Sequence, residues 1–161
     1  MHRIVAGGVL ITLALSGCSL VGTSEGSAPG SAATASAAAL TKEEAAQRYA
    51  EMVKPYDEVR VALETAISEG RSLEEQAGLA GATAGALRAE IEGLRATTWP
   101  DDVQPLAEAL AAASEQALPL WEQAAAATTP EDLATAVQSA TPLGGEEATT
   151  LEGLLGLEPA S

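Results

Sequence analysis

Apolar residues recur along most of this chain at alternating steps of three and four, the spacing that places them on one face of an α-helix. The first such stripe runs Ala45, Tyr49, Met52, Tyr56, Val59, Leu63 and Ala66. Thr41 and Glu44 stand before it as a capping box, and Gly70 closes it. A second box, Ser72 and Glu75, opens a stripe of Leu73, Ala77, Ala80, Ala84, Leu87, Ile91 and Leu94, which ends at Trp99-Pro100. Asp101 and Asp102 introduce a third, through Val103, Leu106, Leu110, Ala113, Ala117, Leu120 and Ala124. Thr129 as N-cap with Pro130 at the first helical position starts a shorter helix through Leu133 and Val137, broken by Pro142 and Gly144-Gly145. A last amphipathic piece, from Glu146 to about Leu155, carries Ala148, Leu151 and Leu154 on one side. The pattern predicts an all-α protein: a small antiparallel bundle of three long helices plus a short helical hairpin over 41–157, with 158–161 as a tail.

Composition thins the core that this bundle can have. Apolar residues make up 47% of the 161, but alanine is the commonest residue, aromatics are 2% and Phe is absent, so little area is available per buried side chain. Gly78, Gly81, Gly85 and Gly93 weaken the second helix while letting a neighbour approach closely. Pro55 and Pro119 fall inside the first and third helices, where each removes a backbone hydrogen bond and favours a kink. Each is followed closely by an aromatic residue and an acid. Two readings follow: a widened bundle centre lined by Tyr56 and Trp121 that holds a small apolar or amphipathic ligand, or kinks that merely accommodate bulky rings among alanines.

The N-terminus reads as an address. Met1-His2-Arg3 is a basic head, and Ile4 to Leu15 is an apolar run too short to span a bilayer but suited to a signal peptide. Leu15-Ser16-Gly17-Cys18 then resembles the lipobox of bacterial lipoproteins. That resemblance implies a diacylglyceryl group on the Cys18 thiol, cleavage between Gly17 and Cys18, a signal peptide over 1–17 and an anchor on the outer face of the cell membrane. Two acyl chains hold a protein stably without a transmembrane helix. Residues 18–40, rich in Ser, Gly, Ala and Thr without periodicity, read as a disordered tether with a reach of roughly 25 Å. The remainder resembles Ala-rich helical lipoproteins of high-GC Gram-positive bacteria, which implies location and fold but no activity.

Several chemistries are closed to a chain processed in this way. His2 and Cys18 are the only histidine and cysteine, so the mature protein has no His and no free thiol, and no disulfide forms within it. Ser-His-Asp and Cys-His catalysis are excluded, as are His- or Cys-based zinc, copper and haem sites; no catalytic residue, metal or cofactor is expected. The acidic doublets Glu43-Glu44, Asp57-Glu58, Glu74-Glu75, Asp101-Asp102, Glu131-Asp132 and Glu146-Glu147 read as helix-start charges, Asp57-Glu58 following the restart at Pro55. No D-x-D-x-D-G calcium loop is present.

Charge sets the remaining expectations. A net charge of -15 leaves no basic footprint for nucleic acid. All basic residues after Arg3 lie between Lys42 and Arg95, and the chain beyond Ala96 carries only acids. The leading expectation is a non-enzymatic interaction module that docks a cell-envelope protein partner through this acidic half, with Glu108, Glu115 and Glu122 as the docking face. The alternative is a carrier or receptor for a small ligand held near Tyr56 and Trp121.

Overall fold

Thr41 fixes the start of the first helix from both sides. Its hydroxyl accepts from the Glu44 backbone N–H, and the Glu44 carboxylate accepts from the Thr41 N–H at 2.9 Å. The Thr41 hydroxyl also donates to that carboxylate at 2.7 Å, and the bonds from the Thr41 N–H and hydroxyl hold the Glu44 carboxyl below its ordinary pKa. The computed structural model describes residues 39–157; the signal segment, Cys18, the expected tether up to residue 38 and the tail over 158–161 lie outside them. Leu40, expected in the tether, instead donates to the Thr98 carbonyl at 3.2 Å and packs on the core. From Thr41 the chain forms α1 (Lys42–Ser68), α2 (Leu73–Ala96), α3 (Gln104–Ala125), α4 (Pro130–Ala140) and α5 (Gly145–Leu155), with no strand among the described residues. The fold is an all-α bundle. No helix among the described residues is long and apolar enough to cross a membrane.

Each junction has its own chemistry. α1 ends in a Schellman turn: Gly70 at φ +65° donates to the Ile67 carbonyl and Arg71 to that of Ala66. The Ser72 hydroxyl caps α2 through the Glu75 N–H, but the return bond of a capping box is missing. Arg71 takes the Glu75 carboxylate instead, at 2.7 Å. Asp101 and Asp102 do not start α3. They lie in a turn held by the Pro100 carbonyl, which accepts from Val103 and Gln104, and the helix proper begins at Gln104 with no side-chain cap. Thr129 caps α4 through the Asp132 N–H, with Pro130 in the first turn. Gly144, at φ +84°, reverses the chain into α5.

α2 packs against both α1 and α3, α4 packs on α3, and α5 rests against α3 and α1. Two clusters of buried residues result. One gathers Tyr49, Leu94, Trp99, Val103, Leu110, Leu151 and Leu155 around the N-terminal half of α1 and the C-terminal end of α2. The other gathers Leu63, Leu87, Ile91 and Trp121 with alanines of α2, α3 and α4. Trp99, which in the sequence only marks the end of α2, is a core residue; its indole N–H donates to the Leu94 carbonyl at 2.8 Å.

The buried face of α3 is turned from the expected stripe. Ala107, Ala111, Ser114 and Trp121 are buried alongside Leu110, Ala117 and Ala124, whereas Leu106, Ala113 and Leu120 are half-buried. A helix packed on α2, α4 and α5 buries a broad arc rather than the narrow seam of a two-helix contact. The glycines of α2 also differ from expectation. A methyl at Gly93 would meet the Met52 sulfur at 2.9 Å and one at Gly81 would touch Ala125, but Gly78 and Gly85 face open space. α1 and α3 run through Pro55 and Pro119 unbroken, with both prolines on the exposed side.

Candidate functional site

Along the stripe of α1, burial is complete at Ala45, Tyr49, Leu63 and Ala66 and partial at Met52, Tyr56 and Val59. The helix therefore seals at both ends and opens at its middle. The opening is a partly enclosed cavity of about 290 Å³, near the lower limit of small-molecule sites, which span about 300–1,000 Å³. α1 contributes Tyr49, Val53, Tyr56, Asp57 and Arg60; α2 contributes Leu87 and Glu90; α3 contributes Leu110 and Ser114. The α4–α5 turn and α5 close it with Thr141, Leu143, Gly144, Gly145, Ala148, Thr149 and Glu152. A shallower depression of about 310 Å³ adjoins it, sharing Tyr49, Val53, Asp57 and Glu152 and adding Ala50 and Leu157.

Glu90 is the unusual member. It lies on the packed face of α2, one turn from Leu87 and from Leu94, and is 5% exposed. Its Oε2 atom has no hydrogen-bond partner. Burial, and secondarily the charge of Asp57, push its carboxyl up to about 7. Burial also raises Asp57, against the pull of Arg60. Tyr56 rises to about 12, mainly through burial and then through Glu90. Tyr49 rises further still, through burial first and then the charges of Glu152, Glu90 and Asp57. The cavity is thus a negatively biased space in which one carboxyl is poised to gain or lose a proton near neutrality.

The sequence-derived candidates divide among three situations. Tyr56 lines the cavity, and Trp121 stands behind it with the two rings edge to face, their centroids 6.4 Å apart. Trp121 is buried, and its indole N–H approaches the Tyr56 hydroxyl closely enough to stabilise the phenolate, yet makes no hydrogen bond of proper geometry. Glu108, Glu115 and Glu122 lie exposed on α3. Two of these three already hold arginines of α2: Arg95 meets Glu115 at 2.6 Å and Arg88 pairs with Glu122. Glu108 accepts from the Gln104 amide. Gly17 and Cys18 lie outside the described residues.

Asp57 departs from its expected role. Four of the doublets, beginning at Glu43, Glu74, Glu131 and Glu146, occupy first turns as charges that complement the helix dipole. Asp57 sits mid-helix, half-buried, facing the cavity. Glu90 and Ser114 escaped the sequence reading altogether. The signal was there: Thr83, Leu87, Glu90 and Leu94 follow steps of four, three and four, as do Leu110, Ser114, Ala117 and Trp121. A polar residue on such a stripe is a buried polar group that requires an explanation.

Among the described residues, no three acidic side chains converge closely enough to hold a metal ion. Comparison of the chain with protein-family models, with curated proteins and with solved structures returned no match.

Proposed function

We propose that this chain is an extracytoplasmic lipoprotein, held to the outer face of the cell membrane through a diacylglyceryl group on Cys18, whose bundle carries or senses a small amphipathic molecule without chemical transformation. One observation carries the binding half of this reading. A bundle with so thin a core has reason to fill its centre with apolar side chains, yet it keeps a cavity with a buried carboxyl oxygen that lacks a partner. The anchoring half rests on the register of basic head, apolar run and Leu15-Ser16-Gly17-Cys18. Docking of a basic envelope protein on Glu108, Glu115 and Glu122 has less behind it, because Arg95 and Arg88 answer two of those charges from within the chain.

Native mass spectrometry of the full-length lipoprotein, gently extracted from its own membrane, separates the two. A mass raised by a few hundred daltons beyond the acylated chain is the expected result. A mass equal to the acylated chain plus a second protein overturns the carrier reading in favour of docking. An unprocessed chain without acyl groups removes the anchor.

A further inference from the structure

We infer that the molecule taken up by the cavity is a small cationic amphiphile, an ammonium group on an apolar body, with Glu90 as its counter-ion. The inference rests on the reading of the cavity as a ligand site and names the chemistry of that ligand. The first ground is geometric: Glu90 is buried, lines the cavity, and leaves Oε2 without a donor. A buried acceptor in that state calls for a hydrogen-bond donor from outside the chain, and a charged donor makes the stronger bond.

The second ground is the charge around it. α1 presents Asp57, Arg60 and the two tyrosines, and α5 presents Glu152, whereas α3 and the α4–α5 turn present no ionisable group. Arg60, the one cation of the lining, is already paired with Glu64. Glu90 and Asp57 against one engaged guanidinium repel an anion and gain nothing electrostatically from a neutral molecule. They are spread around the wall, a distribution that suits an organic cation rather than a bare metal ion. Tyr56 in the wall places an aromatic ring beside the bound cation. Val53, Leu143 and Ala148 provide the apolar surface for the body of the ligand.

A pH signature follows. Asp57 is the charged neighbour that acts on the Glu90 carboxyl, and Asp57 is itself raised by burial, with Arg60 opposing. An ammonium beside Glu90 favours its ionised form, so binding below about pH 7 expels a proton to the buffer and weakens as pH falls.

The test is calorimetric titration of the full chain carrying Cys18→Ser, so that no acyl chain competes, with hexylammonium, 1-hexanol and hexanoate as probes. At pH 8 hexylammonium is expected to bind at least about tenfold more tightly than hexanol, a gap that charge-assisted bonding supplies, and hexanoate most weakly. At pH 5.5 the ammonium preference shrinks by several-fold, with proton release shown by the dependence of the heat on the buffer. Glu90→Gln is expected to abolish the preference of hexylammonium over hexanol. Equal binding of hexanol and hexylammonium, or a preference that survives Glu90→Gln, overturns the cationic ligand while the cavity reading stands. Failure of all three probes to bind overturns both.

Discussion

The two tryptophans are buried to nearly the same degree, 2% exposed for Trp99 and 1% for Trp121, but the bundle treats them differently. Trp99 sits where α2 ends, in the cluster with the larger side chains, and its N–H is bound to the Leu94 carbonyl. Trp121 sits among alanines, its N–H unbonded, its ring edge-on to a tyrosine that faces the cavity. The first arrangement locks a corner of the fold. The second belongs to a region whose polar groups, Glu90 and Trp121 together, are left incompletely satisfied. In a chain this rich in alanine, which part serves folding and which is set aside for a ligand is read from how polar atoms are answered, since depth of burial alone does not distinguish them.

The strongest way to break this comparison is Trp99→Ala. Removing a fully packed indole is expected to cost about 3–5 kcal/mol, enough to unfold much of a small domain. Thermal denaturation followed by circular dichroism checks it, and a loss below about 1 kcal/mol would deny Trp99 its locking role.

Glu90 is expected to give the next largest effect, with opposite sign. Its carboxyl stands at about 7 in the folded protein against 4.5 for the ordinary group, so the folded state binds the proton more tightly. The associated stability is fully present below pH 4.5 and is lost as pH rises through about 7, a swing of roughly 3 kcal/mol. Urea titrations at pH 4.5 and pH 8 should show this swing in the parent chain and little of it in Glu90→Gln, which should be the more stable at pH 8. A Glu90→Gln curve parallel to that of the parent would mean the carboxyl is hydrated.

The paired substitutions Trp99→Phe and Trp121→Phe sharpen the contrast between the rings. Both remove the same atoms, but only the first breaks a hydrogen bond, so it should cost about 1 kcal/mol more than the second. Equal losses would erase the distinction. Smallest is the comparison of Gly85→Ala with Gly93→Ala. Open space at Gly85 lets alanine gain up to about 1 kcal/mol of helix propensity, whereas Gly93→Ala must first displace the Met52 thioether.

Helix ends were the most legible part of the sequence because they depend on a few adjacent residues. Thr41 with Glu44 and Thr129 with Pro130 announce their helices through bonds made within four residues. Where a third party competes, local reading fails. Arg71 draws Glu75 out of its capping box, and the Pro100 carbonyl holds Asp101 and Asp102 in a turn. The packed face of α3 was harder, since eight alanines among its 22 residues leave the apolar arc broad and its centre undefined; packing with three neighbours decides it. Tyr56 and Trp121 could be placed together because each follows a proline inside its helix. Glu90 stands on its stripe as a single polar residue among apolar ones, and type alone does not separate it from the solvent-facing glutamates. Its significance lies in what α1 and α5 bring to it, and helical periodicity carries no record of partners from other helices.

One wall of the cavity, from Thr141 through Gly144 to Glu152, comes from the last part of the described chain. Synthesis proceeds from the N-terminus, so α1, α2 and α3 are all available to associate before that wall exists. Gly144, where an added Cβ would stand 3.4 Å from Leu110 and 3.7 Å from Ser114 of α3, turns the chain back so that this wall closes the cavity that Glu90 and Asp57 line. The chamber is thus complete only once the α4–α5 hairpin, the last part made, has folded back.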